Sequence, residues 1–194
     1  MKRILAPIVL LTLLFPSLAY GFTIDNFAMR DGVWYKNFTD VPFTGKVDGT
    51  YRDGEVTGRI TGSFKDGKKV GPWFRYHRNG QLEEKGTYKD GKKEGLWVGY
   101  QSNGKLWWKV NKKNGENHGP WEGYSKTGEL ESKGTYKNGE KDGPWIKYHF
   151  NGQLMEKGTY RDGRREGPWV GYKKDGTVDE RYTGTFKYDV KVSD

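Results

Sequence analysis

A tryptophan recurs every 24 residues through most of this chain, and no other feature constrains its fold so strongly. The five copies are Trp73, Trp97, Trp121, Trp145 and Trp169. Each lies two residues after a glycine and three residues before a tyrosine, and these tyrosines are Tyr76, Tyr100, Tyr124, Tyr148 and Tyr172. A fixed period of this length indicates a repeat array, in which each unit buries apolar surface only against its neighbours.

Two sets of turn glycines divide each repeat, at alternating spacings of 13 and 11 residues. The sets are Gly80, Gly104, Gly128, Gly152, Gly176 and Gly67, Gly91, Gly115, Gly139, Gly163. Most follow Asn or Asp, as is typical of tight hairpins. The pattern predicts two strands of about five to seven residues per repeat and no helix. We therefore predict an all-β fold, an elongated single-layer antiparallel β-meander built of 24-residue hairpin repeats.

The register of one hairpin can be argued from the positions that recur. If its turn is a three-residue loop with a bulged glycine, Tyr76 lies opposite Leu82. On that register Leu82, Gly86 and Tyr88 share a face, and Gly86 leaves room for an aromatic ring to lie across the backbone. Trp73 is out of phase with Tyr76 on a straight strand. Either the strand kinks after Pro72, or the tryptophan lies on the other face.

The composition favours a thin fold. Hydrophobic content is 33%, mean hydropathy is -0.97 and the net charge is +9, which is poor material for a thick two-layer core. Aromatic residues make up 15% of the chain and recur in period, unlike those of a disordered chain. The absence of cysteine excludes disulfides, thiol catalysis and cysteine metal sites.

The first 21 residues lie outside the repeat and have the pattern of a secretory signal peptide. Lys2 and Arg3 precede an apolar run, and Ala19 and Gly21 have the small-residue spacing that a signal peptidase recognises. We expect cleavage before Phe22, secretion or a periplasmic location, and no transmembrane span in the mature chain. The alternative is an uncleaved anchor, but the apolar run is shorter than the ~20 residues that a span needs.

The rest of the chain divides by how closely it follows the repeat. Residues 22–58 form a degenerate N-terminal capping repeat, 59–188 an array of about five repeats, and 189–194 a C-terminal tail. Terminal repeats are expected to be atypical, since one of their faces has no neighbour.

Candidate chemistry is sparse. His77 and His149 occupy the same repeat position three units apart, too far from each other to share a metal, and His118 stands alone. No nucleophile and base, or pair of acidic residues, stands out. We predict no cofactor, no metal site and no enzymatic activity.

Basic residues cluster at the turns along one edge and form a candidate surface for phospholipid headgroups or acidic polysaccharide. They are Lys68, Lys69, Lys92, Lys93, Arg164 and Arg165. Neighbouring acids such as Asp90 and Glu94 dilute the charge, so a solvated edge is the alternative. Nucleic acid is not an expected partner, because periodic Trp and Tyr residues are more typical of sheet packing than of base stacking.

The second repeat, which contains Trp97, departs from the pattern of the others. Val110-Asn111-Lys112 replaces the Gly-Thr-Tyr found in its neighbours, and two tryptophans precede it. Because consecutive strand residues point to opposite faces, at least one tryptophan should be incompletely covered. The candidate partner-binding residues are Trp107, Trp108, Lys109, Lys112 and Lys113. The alternative is that the tryptophans fill the volume left by the missing tyrosine.

The repeat itself, as it stands at 71–95, resembles the variant MORN repeat of many bacterial proteins. The resemblance implies β-hairpin ribbons that serve as scaffolds for protein or lipid-surface contacts. It also implies an antitoxin-like family, which would place the chain opposite a toxin. The leading hypothesis is an exported scaffold that binds another protein in the cell envelope. Binding of anionic surfaces through the basic edge is the alternative, and an antitoxin role is a minor one.

Overall fold

The computed structural model describes residues 27–53 and 56–193, so the predicted signal peptide at 1–21 lies outside the described residues. Within these ranges the chain forms strands and no helix. The strands are β1 (Phe27–Arg30), β2 (Val33–Lys36), β3 (Gly45–Asp53), β4 (Val56–Lys65), β5 (Lys68–Tyr76), β6 (Leu82–Lys89), β7 (Lys92–Tyr100), β8 (Leu106–Lys113), β9 (Glu116–Tyr124), β10 (Leu130–Lys137), β11 (Glu140–Lys141), β12 (Gly143–Tyr148), β13 (Leu154–Arg161), β14 (Arg164–Gly171), β15 (Gly184–Lys187) and β16 (Val190–Ser193).

Strands β3 to β16 form one antiparallel sheet whose order follows the chain, with the short β11 pairing only with β10. Strands β1 and β2 form a separate hairpin. The predicted single-layer meander is therefore confirmed. Most strands of the array are longer than the predicted five to seven residues, as β5 has nine and β6 has eight, whereas β12 has six. Pairing runs up to the turns, as between Lys89 and Lys92, which flank a two-residue loop.

Two kinds of turn alternate along the sheet. At Asp90-Gly91 both residues have positive φ, 51° and 81°, as in the two-residue hairpins whose twist matches that of the strands. In the other kind only the glycine is left-handed, as at Gly80 with φ 83°. Gly80 N–H donates to the carbonyl of His77 and His77 N–H to that of Gln81, as in the three-residue loop with a bulged glycine that the sequence favours. A separate bulge follows in β6, where Glu83 is an extra residue between the Tyr76–Leu82 and Arg75–Glu84 pairs.

The bulge decides which side chains share a face. Tyr76 pairs with Leu82, as predicted, whereas Trp73 pairs with Gly86. Because Glu83 is the extra residue between the two pairs, Leu82 and Gly86 lie on opposite faces, and the prediction is wrong for Leu82. Tyr88 lies on the same face as Gly86, as predicted. Trp73 likewise lies on the face opposite Tyr76.

The two faces of the sheet differ in chemistry. The aromatic face carries Trp73, Trp97, Trp121, Trp145 and Trp169. The opposite face, here called the lysine face, carries Tyr76 and its equivalents and the lysines Lys85, Lys109, Lys133 and Lys157. The five tryptophans of the aromatic face form the core on that side of the sheet.

A glycine in the preceding strand makes room for most of the tryptophans. A Cβ added to Gly86 would lie 2.2 Å from Cδ2 of Trp97, whose indole therefore rests directly on the backbone. Gly134 and Gly158 receive Trp145 and Trp169 in the same way. The prediction that Gly86 accommodates a ring is confirmed. Trp97 is only 1% exposed, although the sheet has a single layer.

Lysine and arginine side chains cover the outer side of these rings. Lys93 Nζ lies 3.9 Å from the ring centre of Trp97, and Lys141 Nζ lies 4.3 Å from that of Trp145. Lys69 lies over Trp73 in the same way, and burial together with the nearby Lys93 ammonium lowers the pKa of Lys69. Long basic side chains therefore cover the tryptophans of this single-layer sheet. Their stems lie on apolar surface, and their charges face the aromatic rings.

The two ends of the aromatic face are closed by other segments. The β1–β2 hairpin packs Phe27 and Trp34 against Phe64, and Trp34 donates a backbone hydrogen bond to Gly67. At the other end Tyr182 lies against Gly171. Strand β4 crosses the expected boundary at residue 58, and β16 lies within the expected tail, so the sheet extends into both terminal parts.

Candidate interaction surface

The second repeat interrupts the aromatic face. Val110 pairs with Trp97 and Trp121, at the position where other repeats have Gly86 and Gly134, and it is 3% exposed. Lys112 replaces the following tyrosine, and burial and the nearby Lys93 ammonium lower its pKa. The alternation of aromatic, glycine and cation therefore fails at this one repeat.

Trp121 occupies a different position because of Val110. It has no glycine in the preceding strand to rest on, and its ring instead lies over Gly123 of its own strand. It stacks on Trp145 with ring centres 5.2 Å apart and planes at 28°. Asn117 replaces the usual cation, and in the part of the chain that the structure describes no Lys or Arg lies over the Trp121 ring. Trp121 is the most open of the five repeat tryptophans, since it alone is not fully buried.

A cleft opens beside Trp121 because Ser132 is small. Ser132 pairs on one side with Lys147 and on the other with Gly123, which the Trp121 ring covers. The equivalent of Ser132 is Glu84 in the first repeat and Trp108 in the second. The cleft has a volume of about 410 Å³, and its lining includes Trp121, Ser132, Tyr136, Trp145, Lys147 and Tyr160.

The cleft has a positive charge. Lys141 lies over Trp145 and Tyr160, and burial and the nearby Lys147 lower its pKa. Glu156, also in the lining, is neutralised by Arg165 at 2.9 Å. Lys141 and Lys147 have no ion pair within the described ranges. The cleft therefore combines aromatic walls, a small polar floor and two uncompensated cations.

A family model described as MORN repeat variant matches the chain at residues 69–90, 117–138 and 141–162. The chain carries MORN repeats. These repeats are non-catalytic modules that generally contact proteins or membranes. None of the curated proteins compared with the chain matches it. The matched MORN segments leave out residues 91–116, which include Val110 and Lys112.

The second repeat does not bring its predicted binding residues together. Trp107 is the bulged residue of β8 and is 56% exposed, whereas Trp108 lies between Gly99 and Gly123 and packs on the core. The three lysines are also dispersed. Lys109 binds Glu122 on the lysine face, Lys112 lies on the aromatic face, and Lys113 is exposed beside a turn.

The predicted basic edge is divided by the same alternation. Lys68, Lys92 and Arg164 are exposed at the turns between MORN repeats. Lys69, Lys93 and Arg165 instead turn onto the aromatic face, where each lies over a tryptophan. Half of the six residues therefore cover the core.

The histidines of the first and fourth MORN repeats have a structural environment. His77 Nε2 lies 2.9 Å from the carbonyl of Tyr100, and His149 Nε2 lies 2.8 Å from that of Tyr172, linking neighbouring turns. The described ranges contain no cluster of three metal-ligating side chains. Nor do they contain a helix long and apolar enough to cross a membrane.

Sequence reasoning missed the cleft. The signal was present in Gly123 and Ser132, which are smaller than their counterparts Arg75 and Glu84 in the first MORN repeat. Only the strand register shows that these two residues are cross-strand partners beside the uncovered Trp121.

Proposed function

We propose that this chain is an exported, non-enzymatic MORN scaffold of the cell envelope, and that its aromatic cleft binds a segment of another protein. The observation that carries the proposal is the position of the cleft. Both ends of the aromatic face are closed, by Phe27 and Trp34 at one end and by the buried Phe186 beside Trp169 at the other, while the middle is open beside Trp121. An open aromatic surface framed by charge is typical of a binding site for protein.

The chemistry of the cleft favours a segment with acidic and apolar side chains. Lys141 and Lys147 would each face an acidic group, and the space over Ser132 would take an aliphatic or aromatic side chain against Trp121. Aromatic anchors in such clefts usually contribute most of the binding energy, while charges at the rim mainly guide association.

Selection from a library of short random peptides tests the cleft directly. The mature chain should enrich peptides that combine acidic and aromatic residues. Ser132→Trp should abolish their binding, because an indole at this position would fill the cleft beside Trp121. Lys147→Glu should weaken binding about tenfold or more, as expected for loss and reversal of a charge contact.

Lys133→Glu is the matched control, since it makes the same charge change on the adjacent residue of the opposite face. It should leave peptide binding unchanged. Selected peptides that bind Ser132→Trp as tightly as the parent would place the site elsewhere.

The proposed export predicts the residue at which the mature protein begins. Expressed with its native N-terminus in a cell with a secretory pathway, the protein should be found outside the cytoplasm with an intact mass that begins at Phe22, because 1–21 has the pattern of a cleaved signal. Retention of Met1 in the exported protein would contradict the cleavage. Accumulation in the cytoplasm would contradict export itself.

A further inference from the structure

The lysine face carries a row of cross-strand partners that runs along most of the sheet. Each residue pairs with the next in the order Phe74, Lys85, Val98, Lys109, Glu122, Lys133, Ile146, Lys157, Val170. A lysine therefore stands on every second strand. Because neighbouring strands lie about 4.8 Å apart, the lysines recur every ~10 Å. Their row differs from the turn residues of the basic edge, since it follows the middle of the ribbon.

Two hollows lie along this row. One, of about 380 Å³, is bordered by Lys157, Thr159, Pro168 and Val170. The other, of about 220 Å³, is bordered by Glu122, Lys133, Thr135 and Pro144. Each contains one ammonium group, one hydroxyl and the apolar surface of a proline, and the smaller hollow also contains the Glu122 carboxylate. The array therefore repeats the ammonium group, the hydroxyl and the proline at an interval of one repeat.

We propose that the lysine face binds a linear acidic polysaccharide with one carboxylate per disaccharide, each disaccharide occupying one of these hollows. The carboxylate pairs with the lysine, the threonine hydroxyl bonds a sugar hydroxyl, and the apolar face of a sugar ring packs on the proline. Binding through several equivalent sites on one chain raises the overall affinity without any new contact at each site.

The spacing of the lysines favours this polymer over other anionic partners. Duplex DNA carries one charge about every 1.7 Å of its axis, far denser than lysines that recur every ~10 Å. A membrane presents a plane, whereas the strands of a sheet rotate by roughly 20° from one to the next, so the lysines cannot all face one plane. A linear polysaccharide can follow the turning row.

Glu122 breaks the row at one point. It takes the position that Val98, Ile146 and Val170 hold in other repeats, and it binds Lys109 at 2.5 Å. It also accepts a hydrogen bond from the Tyr124 hydroxyl. Lys109 is thereby neutralised, and the same carboxylate faces Lys133, its other cross-strand partner. Binding is therefore stronger at Lys157 than at Lys133. Removing the carboxylate should release Lys109 and add a site.

The experiment uses the mature chain and hyaluronan oligosaccharides, which have one carboxylate per disaccharide, with binding measured by calorimetry at low and moderate salt. Affinity should rise with length from one disaccharide to several and fall with added salt. Lys133→Gln and Lys157→Gln should each weaken binding roughly 2- to 5-fold, as for exposed charge pairs, and Glu122→Val should strengthen it by a similar factor.

Lys68→Gln is the matched control, because it removes an exposed lysine at a turn and should change nothing. Neutral chitin oligosaccharides and phosphatidylglycerol vesicles complete the comparison. The proposal is overturned if the neutral sugars bind as well, if only the vesicles bind, or if Lys68→Gln weakens hyaluronan binding as much as Lys133→Gln. It is equally overturned if affinity does not depend on length.

Discussion

Gly86→Val should lower the free energy of unfolding by about 3 kcal/mol or more, because overpacking at this site displaces a large buried ring. Any Cβ at Gly86 would lie 2.2 Å from Cδ2 of Trp97, which is 1% exposed and cannot move outward without exposing the core. For a chain of this size the thermal midpoint should fall by roughly 10 °C. Thermal unfolding followed by tryptophan fluorescence measures the effect.

Thr87→Val is the control, since it adds a β-branched apolar residue at the next position of the same strand, where the side chain is exposed. Its midpoint should stay close to that of the parent. The second repeat shows what the ring does when valine is present, because beside Val110 the Trp121 indole lies on its own strand. A Gly86→Val protein as stable as the parent would mean that Trp97 can make the same move at no cost.

Trp108→Ser should destabilise the fold by about 3 kcal/mol, as expected for truncation of a packed tryptophan. The ring rests on the backbone of Gly99 and packs against the buried core that contains Trp97 and Val110. Ser132 occupies the same position in the third repeat, so the substitution copies a residue that the array already uses. Denaturant unfolding gives the change in stability.

Trp107→Glu is the matched control at the adjacent residue, and it copies Glu83 of the first repeat. Because Trp107 is 56% exposed, its replacement should alter stability by no more than about 0.5 kcal/mol. Equal loss of stability in both variants would contradict the conclusion that Trp108 is packed and Trp107 is exposed. The sequence alone does not distinguish the two tryptophans. They differ because Trp108 lies opposite Gly99 and Gly123, whereas Trp107 is the bulged residue.

The fold could be predicted from sequence because its determinants are local. Turn residues such as Asp90-Gly91 and Asn79-Gly80 predict the two kinds of hairpin. The pairing of Tyr76 with Leu82 then follows from the type of turn. The error over Leu82 and Gly86 also has a local cause. A bulge adds one residue, and one residue reverses the face of every side chain beyond it.

The cleft could not be predicted because it depends on what neighbouring strands leave empty. Gly123 and Ser132 have nothing unusual in their own strands. Only their pairing across the sheet shows that Trp121 covers Gly123 and leaves the space over Ser132 open. Half of the residues of the predicted basic edge lie elsewhere for a related reason. Lys69 and Lys93 look solvent-exposed beside turn residues, yet each extends over a ring on the aromatic face.

The measurement that tests the proposed scaffold role most directly is photo-crosslinking in the cell envelope, with a benzophenone amino acid placed at Lys147 or at Lys133. The two sites lie on adjacent strands but on opposite faces. The cleft predicts a discrete crosslink to another protein from Lys147, competed by the selected peptides, and none from Lys133. A discrete protein crosslink from Lys133 alone, or none from either site, would contradict it.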